Sequence, residues 1–115
     1  MTGDRMYSIS TATDPGMDLK IVRAGANDPS FHLRPEPALV IGGAGTASRV
    51  FASCLETHGT YDNTTEQSAN LTASCTSVKV LSDDAAALKV QYSFAGGQSV
   101  TVKIDRNNNL MTIEK

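Results

Sequence analysis

Beyond residue 77 the chain alternates apolar and polar positions with little interruption. Val78 and Val80, then Leu88, Val90, Tyr92 and Phe94, then Val100, Val102 and Ile104, then Met111 and Ile113 recur at period two. This is the pattern of four strands, each with one face on a core and one in water. Paired residues must share a face, so the parity of each connection fixes the register. Val90 and Tyr92 face Val102 and Val100 only across an odd connection, which Ala95 to Gly97 supplies, with Gly97 free to take the left-handed conformation. Ile104 faces Met111 and Val102 faces Ile113 only across an even one, built on Asn107-Asn108. By the same reasoning Ser82 to Asp84 turns Val80 onto Ala86 and Val78 onto Leu88. The result is an antiparallel meander whose wet face carries Lys79, Lys89, Gln91, Ser93, Thr101, Lys103, Thr112 and Glu114.

Upstream the pattern changes. From Thr46 to His58 the apolar residues Ala47, Val50, Phe51, Cys54 and Leu55 recur at three and four, which predicts an amphipathic helix with Gly59 as its C-terminal cap. The polar run "THGTYDNTTEQSAN", residues 57 to 70, reads as a long loop. All four prolines fall within the first 37 residues, where short strands are expected at Tyr7 to Thr11, Leu19 to Arg23 and Ser30 to Leu33. "RPEP" at 34 to 37 is an extended link, and Leu39 to Ile41 a short apolar strand. These elements define a single α+β domain over residues 1–115, one amphipathic helix packed on a four- to six-stranded antiparallel sheet. The order of helix, long loop and meander resembles cystatin-like folds, a likeness of architecture that implies no activity.

The stretch "ALVIGGAGTASRVFASCL", residues 38 to 55, has the strand, glycine turn and helix of a dinucleotide-binding opening. That fold needs a second parallel strand ending in an acid about 20 positions on. The region instead reads "TYDNTTEQ", and Ser48 stands where the third glycine or alanine belongs. No cofactor is therefore assigned, and the glycines read as a tight strand-to-helix turn.

Composition narrows the possibilities further. The 115 residues are 40% hydrophobic, enough for one core, and carry a formal charge of −2 from 10 basic and 12 acidic side chains. No field of one sign points to nucleic acid or an anionic membrane, and no apolar run approaches the ~18 residues of a membrane span. "MTGDRMYSIS" lacks the cationic start and apolar core of a signal peptide, so either the chain is cytoplasmic or a leader has been removed.

The two cysteines lie on elements expected to pack together, Cys54 on the helix and Cys75 at the start of the meander. A disulfide between them would contribute about 3 kcal/mol through the loop that it closes. A bridge implies a periplasmic or secreted protein; two buried thiols imply the cytoplasm. Catalytic signals are thin. Cys54 and His58 sit four apart on the expected helix, but a bridged Cys54 cannot attack a substrate. A zinc site would have to draw on Cys54, Cys75, His58 and His32 without any CxxC spacing, and there is no GxSxG elbow. No catalytic or metal residue is assigned on these grounds.

Two places remain for binding. Tyr61 is an aromatic at the expected loop between the cysteines. Lys89 and Lys103 stand directly opposite in the derived register, a like-charge pair that Glu114 can relieve only diagonally. The last strand, Leu110 to Glu114, should lie at a sheet edge, open to self-association or partner binding by strand addition unless Leu19 to Arg23 covers it. The reading that follows is a small non-enzymatic extracytoplasmic module that binds another protein, of the bacterial inhibitor, immunity or envelope-adaptor kind. The alternative is a small cytosolic enzyme or ligand-binding domain with a pocket between helix and sheet.

Overall fold

The computed structural model of the chain describes residues 4–25, 36–45 and 48–115. The described residues are all-β: nine antiparallel strands in three sheets, with no helix. This overturns the α+β expectation. Asp4–Thr11 forms β1, Met17–Ala24 β2, Glu36–Gly43 β3, Ser53–Asp62 β4 and Gln67–Ala69 β5. Cys75–Asp83 forms β6, Ala87–Phe94 β7, Ser99–Asp105 β8 and Leu110–Glu114 β9.

The main departure from expectation is β4, which occupies the second half of the expected helix and the start of the expected loop. Its side chains alternate, with Cys54, Glu56 and His58 half-buried and Leu55 and Thr57 exposed. Spacings of three and four are compatible with a helix, but the eight-residue ladder to β1, from Thr11↔Ser53 to Asp4↔Tyr61, satisfies the same backbone groups in a sheet. Gly59 is left-handed as expected, with φ +63°, yet it bulges a strand instead of capping a helix. The expected loop is itself a hairpin, with β5 paired to β4 through Thr60↔Ala69 to Asp62↔Gln67. The Asp62 carboxylate accepts from Thr64 N at 2.8 Å in its turn, which lowers its pKa.

The chain divides into two compact units, Met1–Ala12 with Val50–Lys115, and Thr13–Arg49. In the smaller unit β2 and β3 form a hairpin from Met17↔Gly43 to Ala24↔Glu36. Leu39 to Ile41 is thus the middle of a paired strand, and Pro37 is tolerated because a two-stranded sheet consists only of edges. Gly42 and Gly43 belong to this strand, so the expected strand-to-helix turn is corrected as well. Arg49 pairs with Asp14 and donates to Ala44 O at 3.1 Å. Its guanidinium occupies the space that a Cβ on Gly16 or Gly43 would need. The expected strand at Ser30 to Leu33 lies outside the described residues.

In the larger unit one sheet has the order β1-β4-β5 and the other β6-β7-β8-β9. The four-stranded meander is present, and its last two hairpins hold the derived register: Lys89↔Lys103, Val90↔Val102 and Tyr92↔Val100, then Ile104↔Met111 and Val102↔Ile113. The first hairpin differs, with Val80 opposite Val90 and Val78 opposite Tyr92. Its turn is set by Asp84, whose carboxylate accepts from Ala86 N and Ala87 N, both at 2.9 Å, and so shifts the connection toward residue 86. β9 is an edge, and β2 pairs with β3, not with β9.

Ala12, Ala52, Cys75, Val78 and Val90 form the core of this unit, with Val50, Cys54, Leu88, Tyr92 and Phe94 packed around them. It is a thin core: among the described residues no large side chain is fully buried. Apolar surface is left open on both sheets. Ile9 and Leu55 are paired on the outer face of β1 and β4 at 51% and 67% exposure, and Met111 and Ile113 on β9 are about as exposed.

Candidate functional site

The titratable side chains that converge do so on the inner face of β1 and β4. Alternation along β4 places Cys54, Glu56 and His58 on that face, opposite Ser10, Ser8 and Met6 of β1. The ladder then slips by one residue, so that Met6 faces His58 while Arg5 faces Thr60, leaving Gly59 unpaired as a β-bulge. Gly59 is buried, and a Cβ there would lie 2.7 Å from Asn70 O, so glycine is required for space as well as for its φ. Tyr61 lies three positions beyond His58, an odd offset that in a regular strand would put them on opposite faces. The bulge absorbs one position. Tyr61, opposite Asp4, therefore shares the half-buried face of His58 and Ser8.

His58 is held at both ring nitrogens. Nδ1 lies 3.1 Å from Asn70 O, an atom that can only accept, so Nδ1 carries a proton. In the neutral ring Nε2 then accepts from the Ser8 hydroxyl at 2.6 Å. A backbone carbonyl thus fixes the tautomer, and an imidazole lone pair stands ready to take a proton. Ser8, His58 and the Asn70 carbonyl form a short relay on a sheet whose bulge aims the ring.

Glu56 has a different task. Its carboxylate accepts from Ser74 N at 2.9 Å, Ser74 Oγ at 2.7 Å and Cys75 N at 3.0 Å, tying β4 to the start of β6. These backbone bonds to Cys75 and Ser74 hold its pKa at about 2.

Cys54 and Cys75 do approach each other across the two sheets, but both are free thiols, which corrects the expected disulfide. Burial, then the Cys75 side chain, pushes the Cys54 thiol pKa up, so it is a poor thiolate. The suggested Cys54–His58 pairing also fails: four residues along a strand separate them by about 13 Å. Among the described residues no group of three or more His, Cys, Asp or Glu side chains could hold a metal ion.

Of the expected binding residues, Tyr61 lies within β4 and is half-buried, not at a loop tip. Lys89 and Lys103 do stand opposite each other at the centre of the four-stranded sheet. Sequence reasoning missed the Ser8–His58 pair because Ser8 was read only as part of a short strand. The overlooked signal was a glycine inside an alternating run, Cys54, Glu56, His58, which marks a bulge as readily as a cap.

An all-β fold with an oriented histidine–serine pair defines a class of scaffold and a capacity for proton transfer, and comparison with known proteins narrows it. No family model matches the chain. It is similar to an exo-oligoalginate lyase of Saccharophagus degradans, 29% identical over 115 residues that take in 97% of this chain. It is also similar to an alginate lyase of Stenotrophomonas maltophilia, 40% identical over 62 residues and 54% of this chain. The chain spans 16% of the length of the first relative and 8% of the second. Both relatives are enzymes by name. The expectation of a non-enzymatic binding module is corrected on that finding, which favours the enzyme alternative.

Proposed function

We propose that this chain is a β-sheet module of a polysaccharide lyase acting on uronate polymers such as alginate. The observation that carries the reading is the similarity to an exo-oligoalginate lyase along almost the whole chain. The open apolar faces of β1–β4 and β8–β9 fit a module that packs against more protein, since contiguous exposed apolar surface marks interaction sites.

A lyase breaks a uronate chain by β-elimination. A base removes the proton α to the carboxylate, the electron pair forms the C4–C5 double bond, and the C4–O bond breaks with the glycosidic oxygen taking up a proton. The protein must supply a base and a proton donor within hydrogen-bond reach of those atoms. Of the described residues, His58 has the free-electron-pair geometry of a base, with its tautomer fixed by Asn70 O. Tyr61 on the same face carries a phenol suited to the donor's task. Ser8 holds the ring in place and leaves Nε2 when substrate enters.

The test is incubation of the protein with alginate and with a neutral 1,4-glucan, following the ultraviolet absorbance of the new double bond. Absorbance that grows with alginate alone is expected. Absence of unsaturated ends from alginate would overturn the reading.

A further inference from the structure

The polar face of the four-stranded sheet is organised as two rows that run across the strands. Ser82, Lys89, Lys103 and Thr112 make one row, and Lys79, Gln91, Thr101 and Glu114 the next. Lys89 and Lys103, both half-buried, are paired directly. Lys79 lies diagonally from Lys89, at a separation of about 7–8 Å between backbones.

Opposed like charges destabilise a sheet, so a pair at its centre calls for a counter-ion. Within the described residues none of these three lysines makes an ion pair; the ion pairs present are Lys20–Asp18, Arg49–Asp14 and Arg106–Asp83. The nearby carboxylates sit in the turns, bonded to backbone amides and not to the ammonium groups. Asp84 accepts from Ala87 N and Ala86 N, which lower its pKa together with the charges of Arg106 and Lys89. Asp105 accepts from Asn107 N, Asn108 N and Asn108 Nδ2, which lower its pKa together with the charge of Lys103. Glu114 is the one acid within the two rows, on the edge strand and diagonal to Lys103.

We propose that this face is a subsite for an anionic uronate chain, with Lys89 and Lys103 bridging one carboxylate and Lys79 meeting that of a neighbouring sugar. Two lysines that rise from backbones one strand spacing apart, about 5 Å, can bring their ammonium groups to a single carboxylate through charge-assisted hydrogen bonds. Gln91, Thr101 and Thr112 around them offer the mixed donors and acceptors that sugar hydroxyls need. The identity of the occupant rests on the lyase reading, whereas the directly opposed lysine pair does not.

The experiment is an NMR titration of the ¹⁵N-labelled protein with a saturated mannuronate tetramer, a neutral 1,4-mannan tetramer and polyglutamate. The mannuronate tetramer should shift the amides of β7 and β8, and the neutral mannan should not. The K89Q/K103Q double variant, with its remaining spectrum unchanged, should bind the uronate about tenfold more weakly. Equal affinity in the double variant, or shifts confined to other strands, would overturn the subsite. Polyglutamate binding as tightly as the uronate would overturn its assignment to sugar. Double-bond formation from alginate is followed in parallel: binding at β7 and β8 without product removes the lyase reading and leaves the face. Product without such binding removes the face and leaves the lyase.

Discussion

The Ser8 hydroxyl lies 2.6 Å from Nε2 of His58, although the two residues are fifty positions apart in the chain. The β1–β4 ladder brings them together, and Asn70 O on the other side of the ring decides which nitrogen faces the serine. If this assignment holds, long-range ¹H–¹⁵N spectra at mildly alkaline pH will show the Nδ1–H tautomer. Replacing Ser8 with alanine should leave that tautomer dominant, because the carbonyl is untouched. An Nε2–H ring in the wild type would refute the relay.

In an enzyme that forms unsaturated uronate ends, His58→Gln should lower kcat by about 10² or more, the usual contribution of a positioned general base. Ser8→Ala should be milder, since it removes a partner of the base and not the base. Comparable kcat in wild type and His58→Gln would take His58 out of the chemistry.

Gly59→Ala places a Cβ at φ +63° and against Asn70 O. The expected cost is about 1–3 kcal/mol, measured by denaturant unfolding, from strain in the left-handed region and crowding of a carbonyl. A variant as stable as the wild type would mean that the bulge relaxes without loss.

The Glu56 clamp makes stability depend on acid. Its carboxyl sits at about pH 2 in the folded protein against an ordinary value of 4.5. A folded pKa below the unfolded one stabilises above the unfolded value and is lost as pH falls through the folded one. Wild-type unfolding midpoints should therefore decline between about pH 4.5 and 2, and Glu56→Gln should flatten that decline. Identical pH profiles would show that the clamp contributes nothing in solution.

Both cysteines are thiols. Alkylation of denatured, unreduced protein should add two groups to the intact mass, and reductant should leave the melting temperature unchanged. A chain that takes up no alkylating group until it is reduced would restore the bridge.

The meander was legible from the sequence because alternation, turn parity and burial all act locally. Val90 can face Val102, and Ile104 can face Met111, over only a few loop lengths, and the residues that fill those loops were in view. The same derivation put Lys89 against Lys103. It failed at β6, where Asp84 draws the turn to itself and two bulges move the register. The stretch from Thr46 to Asp62 was open to two readings. Its apolar spacing suits a helix, while Cys54, Glu56 and His58 alternate as in a strand, and Gly59 serves either. What decided between them was β1, a partner more than forty residues away whose backbone groups needed pairing as much as those of β4. The candidate face shares that origin. Ser8, His58 and Tyr61 acquire a common side only through a long-range ladder and one bulged glycine, and no local pattern encodes a contact of that range.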